Sequence, residues 1–264
     1  KENVGEAPEP FLHPIPTPTE RMTSSTPRLY SPSPATERGP GGEVTRPYIS
    51  LQQVTKVYPG PEGGVLALDN VSLDIEKGEF VAIVGPSGSG KSTLLTVLGA
   101  MSPPSSGRVT IDGLDLYHLP PEQLADFRRQ RMGFVFQQQH LIPYLTALEN
   151  VLLPLTLSRS DQKTSKAIAA LGVVGLEHRA GHLPGQLSGG EQGRVAIARA
   201  IVNEPLIILA DEPTGNLDAA ARESILQLLC SLSGKSRTIL LVTHSAEAAS
   251  AANRRISLQD GRVA

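Results

Sequence analysis

The run Gly85-Pro86-Ser87-Gly88-Ser89-Gly90-Lys91-Ser92 joins an apolar pentapeptide, Phe80 to Val84, to a second apolar stretch through Leu94, Leu95, Val97 and Leu98. Strand, glycine-rich loop and helix is the order a phosphate cradle needs. Glycines let successive backbone N–H groups turn inward on an anion, and the start of the following helix adds roughly half a positive charge. Lys91 is then expected to reach the β- and γ-phosphates of a nucleotide, and the Ser92 hydroxyl to ligate Mg²⁺. A second group lies far downstream. Asp211 and Glu212 follow the apolar run Leu206 to Ala210, and His244 follows the run Thr238 to Val242. Phosphoryl transfer to water needs neutralised charge, a held metal and a positioned nucleophile. Asp211 is suited to the metal, and Glu212 to accepting a proton from the attacking water.

These residues require a scaffold that brings distant strand ends together. Continuous apolar runs of five residues suit strands buried on both faces, and between them lie helical patterns such as Ile225, Leu228, Leu229 and Leu232. Alternation of this kind predicts a mostly parallel, doubly wound α/β core. Ligands gather beyond the carboxyl ends of strands in such sheets, and Gly85, Asp211 and His244 all fall at such ends. Tyr48 to Tyr58 and Val71 to Ile75 predict an antiparallel sheet beside the Phe80–Val84 strand. Another strand is predicted at Arg108 to Ile111, a short helix at Gln123 to Gln130, a strand at Gly133 to Phe136, and a closing hairpin around Asp260-Gly261. The intervening region, about 140 to 203, reads as helical. It contains a capping-box spacing at Thr146 and Glu149, a helix over Asp161 to Leu171, and a longer helix after Ser188-Gly189-Gly190 running to Val202. Cys230 is expected to pack inside its helix.

The totals exclude several classes of function. With 264 residues, 39% of them apolar, and a net charge of -2, the chain can build a substantial core and shows no bias toward polyanions. Nucleic acid is therefore not an expected partner. A single cysteine excludes an internal disulfide and fits a reducing compartment. No run approaches the length needed to cross a bilayer, so direct insertion is not expected. Residues 1 to 47 hold ten of the 22 prolines without helical or strand periodicity, and they read as a disordered tail or linker.

The phosphate loop, the stretch Leu187-Ser188-Gly189-Gly190-Glu191-Gln192, the run Ile208 to Pro213 and Thr243-His244 occur in the order and approximate spacing of an ABC-type ATPase, and the chain from 48 to 264 resembles that family. The resemblance implies a P-loop NTPase fold with a RecA-like core, an antiparallel β subdomain and a helical subdomain. It further implies binding of ATP and Mg²⁺ by a head-to-tail homodimer. Gly85, Pro86, Ser87, Gly88, Ser89, Gly90, Lys91, Ser92 and Thr93 would hold the phosphates of one nucleotide, while Ser188, Gly189 and Gly190 would face the γ-phosphate held by the other subunit. Gln137 matches the glutamine that senses metal and attacking water, His244 the histidine on the γ-phosphate, Asp218 the dimer-crossing loop, and Tyr58 the aromatic that stacks on adenine. Lys91, Gln137, Glu212 and His244 would form the catalytic set, with Ser92, Gln137 and Asp211 around the metal.

Within the family the residues from His140 to Val151 and from Asp211 to Asp218 are similar to those of macrolide exporters, lipoprotein-releasing complexes and the cell-division ATPase. That subgroup implies a separate transmembrane permease subunit, docked by its coupling helix just after Gln137, and a peripheral place on the cytoplasmic face of the membrane. Two outcomes share every one of these motifs: export or extraction of an amphipathic substrate, and mechanical signalling to cell-wall enzymes without transport. Gly193 and Ser245 depart from the usual residues, and Gly193 is expected to loosen the first turn of its helix.

Overall fold

The computed structural model describes residues 46–60, 63–157, 161–234 and 237–264. The expected disordered segment, 1–47, lies outside the described residues except for Arg46 and Pro47. All the described strands and helices belong to the unit of residues 45–264.

A six-stranded sheet forms the centre. Its strands are β3 (Phe80–Val84), β6 (Met132–Val135), β7 (Ile207–Asp211), β8 (Thr238–Val242), β9 (Arg254–Gln259) and β10 (Arg262–Val263), in the order β10-β9-β3-β8-β7-β6. All neighbours are parallel except the closing β9–β10 hairpin. Alternate side chains on these strands enter two different cores. Ile208, Ala210, Ile239 and Leu241 join the cluster under the helices, whereas Ile207, Leu209, Leu240 and Val242 join the cluster on the opposite face. That double burial explains why the strands read as unbroken apolar runs. It also bears out the doubly wound core.

The second cluster is closed by α1 (Lys91–Leu98) and by a four-stranded antiparallel sheet in the order β2-β1-β4-β5, from β1 (Ile49–Tyr58), β2 (Val65–Ile75), β4 (Ser106–Ile111) and β5 (Leu114–Asp115). It is a separate sheet sharing a core with β3, and its strands are not hydrogen-bonded to it. The first cluster is covered by α3 (Ala147–Leu152), α4 (Lys163–Val173), α5 (Gly189–Ile201) and α6 (Ala219–Leu232). Helices α2 (Pro121–Arg131) and α7 (Ala246–Ser250) complete the fold.

Several boundaries move by one or two residues, as at β6, which ends at Val135. The α6 stripe is corrected more substantially. Leu226 is buried with Ile225, Leu229 and Leu232, while Leu228, expected in the stripe, packs half-buried against the same cluster. Cys230 lies off this stripe, so the cysteine is exposed and contributes little packing. Helix α5 runs unbroken through Gly193, where a Cβ would lie 3.3 Å from the Ile225 side chain. The missing side chain there serves close approach of α5 to α6.

Candidate functional site

Because β3, β6, β7 and β8 run parallel, their carboxyl ends open on one edge of the sheet. Register places Asp211 opposite Val242, Ile83 opposite Val242, and Val135 opposite Ala210. The loop after β3, the acidic pair after β7, Thr243-His244 after β8 and Gln137 after β6 are therefore neighbours. A cleft of about 690 Å³ lies among them, lined by Ser87, Gly88, Gly90, Lys91, Ser92, Thr93, Gln137, Asp211, Glu212 and His244.

The phosphate loop is shaped by what crowds it. A Cβ on Gly85 would sit 2.0 Å from the Leu258 carbonyl oxygen, and one on Gly90, at φ 98°, would sit 2.3 Å from that of Ala67. Strands β9 and β2 thus press on the loop from outside, and only glycine fits. The Asp260-Gly261 turn adds a support, with Gly261 N donating to the Ser89 carbonyl at 3.1 Å and Asp69 N donating to the Gly261 carbonyl at 2.9 Å. Buried Lys91 donates from Nζ to the carbonyls of Gly85 (2.9 Å) and Pro86 (2.6 Å) and lies 3.5 Å from Ser89 Oγ. Its ammonium is thereby held at the mouth of the loop.

Helix α1 has no side-chain cap. Thr146, Ser188, Asp218 and Ser245 cap α3, α5, α6 and α7, whereas α2 and α4 also lack a side-chain cap, and of the three uncapped helices only α1 starts in the cleft. The α1 N–H groups are left for an anion.

Asp211 Oδ1 is buried and has no hydrogen-bond partner among the described residues. Burial raises the Asp211 pKa; the Ser92 hydroxyl bonded to it opposes this, Glu212 adds to it, and Lys91 again opposes. An orphaned, buried carboxylate oxygen beside a hydroxyl is a hard-oxygen donor set suited to Mg²⁺. Glu212 has φ 47°, a left-handed conformation that costs roughly 1–2 kcal/mol outside glycine. The turn aims its carboxylate at two partners: His244 Nδ1 lies 2.7 Å from Oε1, and Thr243 Oγ1 donates to Oε2 at 3.3 Å. Glu212 is only 14% exposed while His244 is 69% exposed, so the carboxylate sits inside the cleft with the imidazole over its mouth.

Tyr58, Ser188, Gly189, Gly190 and Asp218 do not line the cleft. The Tyr58 hydroxyl is turned to Thr93, Thr96 and Ser102 on and after α1. Burial pushes its pKa up, but these contacts and Lys56 outweigh it, giving a net lowering. Lys56 Nζ lies 5.0 Å from the ring centroid. Ser188 caps α5 in a capping box: it receives the Glu191 N–H at 3.2 Å, and its own N–H donates to Glu191 Oε2 at 2.8 Å. Arg179 Nε in turn donates to Glu191 Oε1 at 3.1 Å. Asp218 Oδ1 accepts from Ala221 N at 2.8 Å. The cleft also contains Val65, Leu66 and Ala67, which sequence reasoning missed. Their only sequence signal is an apolar strand start, and their place depends on the pairing of β2 with β1.

The family model for ABC transporters matches residues 68–215. An uncharacterized ABC transporter ATP-binding protein of Methanocaldococcus jannaschii, MJ0796, is 49% identical over 222 residues, covering 81% of this chain and 94% of the relative. The macrolide export ATP-binding/permease protein MacB of Burkholderia pseudomallei is 46% identical over 222 residues, 83% of this chain and 34% of the relative. The chain thus spans about a third of the length of the MacB relatives it matches. A dimeric structure of the MJ0796 cassette in a post-hydrolysis state, bound to ADP and Pi, superposes with a TM-score of 0.75 at 47% identity, covering 81% of this chain and 96% of that one. More than half the chain matched by the family model, and near-half identity along a whole cassette, establish that the chain belongs to the ABC transporter family as a nucleotide-binding ATPase domain.

Proposed function

We propose that two copies of this chain close head to tail over two ATP molecules, hydrolyse them, and so drive a membrane permease from the cytoplasmic face. The observation that carries the reading is Glu212, fixed in a left-handed turn with its carboxylate against His244 and lining the same cleft as the phosphate loop. Glu212 accepts the proton of the attacking water. His244 orients that carboxylate and meets the γ-phosphate, Lys91 exchanges its loop carbonyls for phosphate oxygens, and Gln137 orients the water. Ser92, Gln137 and Asp211 would hold Mg²⁺, which neutralises charge developing on the phosphates when bound.

Closure by a second copy is supported by the residues missing from the cleft. Ser188, Gly189 and Gly190, expected to meet a γ-phosphate, and Asp218, expected in the dimer-crossing loop, lie outside the cleft at other helix starts, which fits contacts made to a partner's nucleotide. The MJ0796 cassette, similar along nearly its whole length, is a dimer when bound to ADP and Pi. For the permease, the support is a groove of about 620 Å³ directly beyond the glutamine loop, with Phe134, Phe136, His140, Leu153 and the exposed Leu157 along it. It suits an apolar helix. No described helix is long and apolar enough to cross a membrane. Export or extraction of an amphipathic substrate follows from the likeness to MacB, whose name gives macrolide export.

Glu212→Gln tests the reading. Nucleotide binding should persist while turnover falls by about 10²–10⁴-fold, the usual contribution of a general base. A dimer should accumulate with ATP in light scattering. Hydrolysis at the parental rate would remove Glu212 from the mechanism.

A further inference from the structure

The loop that carries Gln137 is held only in part by its own sequence. It leaves β6 at Phe136 and turns at His140, whose φ of 47° is left-handed and unfavourable for a side-chain-bearing residue. Such a conformation persists only where its surroundings over-determine it. Two contacts do so. The His140 ring meets Phe136 edge-on at 5.5 Å between centroids. Arg199, from the last turn of α5, donates from Nη1 to the His140 carbonyl at 2.7 Å and from Nη2 to the Gln139 carbonyl at 2.5 Å.

Arg199 is half-buried, and among the described residues no carboxylate lies within ion-pairing distance of it. Burial lowers its pKa, which measures how poorly its charge is solvated there. A guanidinium kept in such surroundings for two main-chain carbonyls is costly unless those carbonyls must be fixed. Its planar fork spans adjacent carbonyls in a way that an ammonium cannot. The same helix begins at Ser188, and Arg199 also borders the groove past Phe136.

We infer that Arg199 is a positioning residue for Gln137, tying the serine-capped helix to the glutamine loop so that both move as one piece. The inference rests on the proposed ATPase cycle. Through it, a displacement of α5 or of whatever occupies the groove reaches the glutamine directly.

The test compares the parent with Arg199→Met, Arg199→Lys, Gln137→Ala and the double variant Arg199→Met with Gln137→Ala. Binding of a fluorescent ATP analogue should stay within about twofold in Arg199→Met, because the phosphate loop is untouched, while kcat falls by about ten- to a hundredfold, the scale of a misplaced catalytic group. Arg199→Lys should recover only part of the rate. The double variant should be no slower than Gln137→Ala alone, because residues acting as a unit are not additive. Hydrogen exchange should quicken at residues 138–142 and not in β7 or β8. Parental kcat in a folded Arg199→Met, or multiplicative losses in the double variant, would overturn the inference. An inactive parent under all conditions would instead overturn the ATPase reading on which it stands.

Discussion

At Asp211 the chemistry of the site and the stability of the fold pull in opposite directions. Its Oδ1 is buried without a partner among the described residues, and its pKa is raised by burial first, with Glu212 adding to the effect. A group whose folded-state pKa lies above its unfolded value stabilises the fold fully below the unfolded pKa, and that stability is lost as pH rises through the folded pKa. Above that raised pKa the ionised carboxylate therefore destabilises the nucleotide-free cassette. Asp211→Asn keeps the shape and an oxygen to accept from Ser92, and removes the charge. An orphaned buried polar atom costs about 1–3 kcal/mol and more when charged, so trading a charged orphan for a neutral one should gain about 1 kcal/mol. In a cassette of this size that raises Tm by roughly 2–4 °C. The gap between variant and parent should close as pH falls through the raised pKa of Asp211. Mg-ATP should reverse the order, since ligand at a hundred times its Kd stabilises the parent by about 2.7 kcal/mol and the variant, lacking the metal oxygen, by less. Scanning calorimetry with and without Mg-ATP measures both arms. A nucleotide-free Asp211→Asn less stable than the parent, or one stabilised equally by Mg-ATP, would refute the argument.

Two other sites give predictions of different kinds. At Gly133 an added Cβ would lie 2.4 Å from the Ala200 carbonyl oxygen, against about 3.3 Å for a normal contact, so α5 must move by nearly an ångström. Gly133→Ala should cost about 2–3 kcal/mol and lower Tm by roughly 5–10 °C; an unchanged melting curve would show that α5 yields freely. On the expectation that Tyr58 stacks on adenine, Tyr58→Ala should weaken ATP binding by about five- to a hundredfold, with Tyr58→Phe near the parent in equilibrium titration. Equal losses in both variants would assign the effect to the hydroxyl beside Thr93 and not to stacking.

The parts of the site legible in the sequence are those set by local spacing. Strand, loop and helix around Lys91 are contiguous, and the capping boxes at Thr146 and Ser188 each lie within four residues. Buried strands announced themselves because both faces of the central sheet are covered. What stayed hidden depends on distant approach. Val65 to Ala67 reach the cleft through pairing with β1 and through the Asp260-Gly261 turn, nearly two hundred residues away. Arg199 finds its carbonyls about sixty residues back along the chain. Cys230 faces outward because the apolar stripe of α6 extends to Leu226 as well as the half-buried Leu228, a breadth that helical spacing alone does not reveal.

The unequal treatment of helix starts suggests why hydrolysis needs two copies under the dimer reading. Helix α1 offers bare N–H groups with Lys91 beside them, and it can hold phosphate whenever nucleotide is present. The start of α5 is different: Ser188 takes the Glu191 N–H, no bond of the capping box reaches the Gly189 and Gly190 N–H groups, and the Glu191 carboxylate, its pKa lowered by the Ser188 backbone and hydroxyl, brings negative charge to the same end. That carboxylate opposes an incoming phosphate, and its pairing with Arg179 only partly offsets the repulsion. The second anion site is thus weaker than the first and engages only a γ-phosphate already fixed across the interface. Loading must precede closure, and loss of the γ-phosphate removes the one group that holds the weaker end in place.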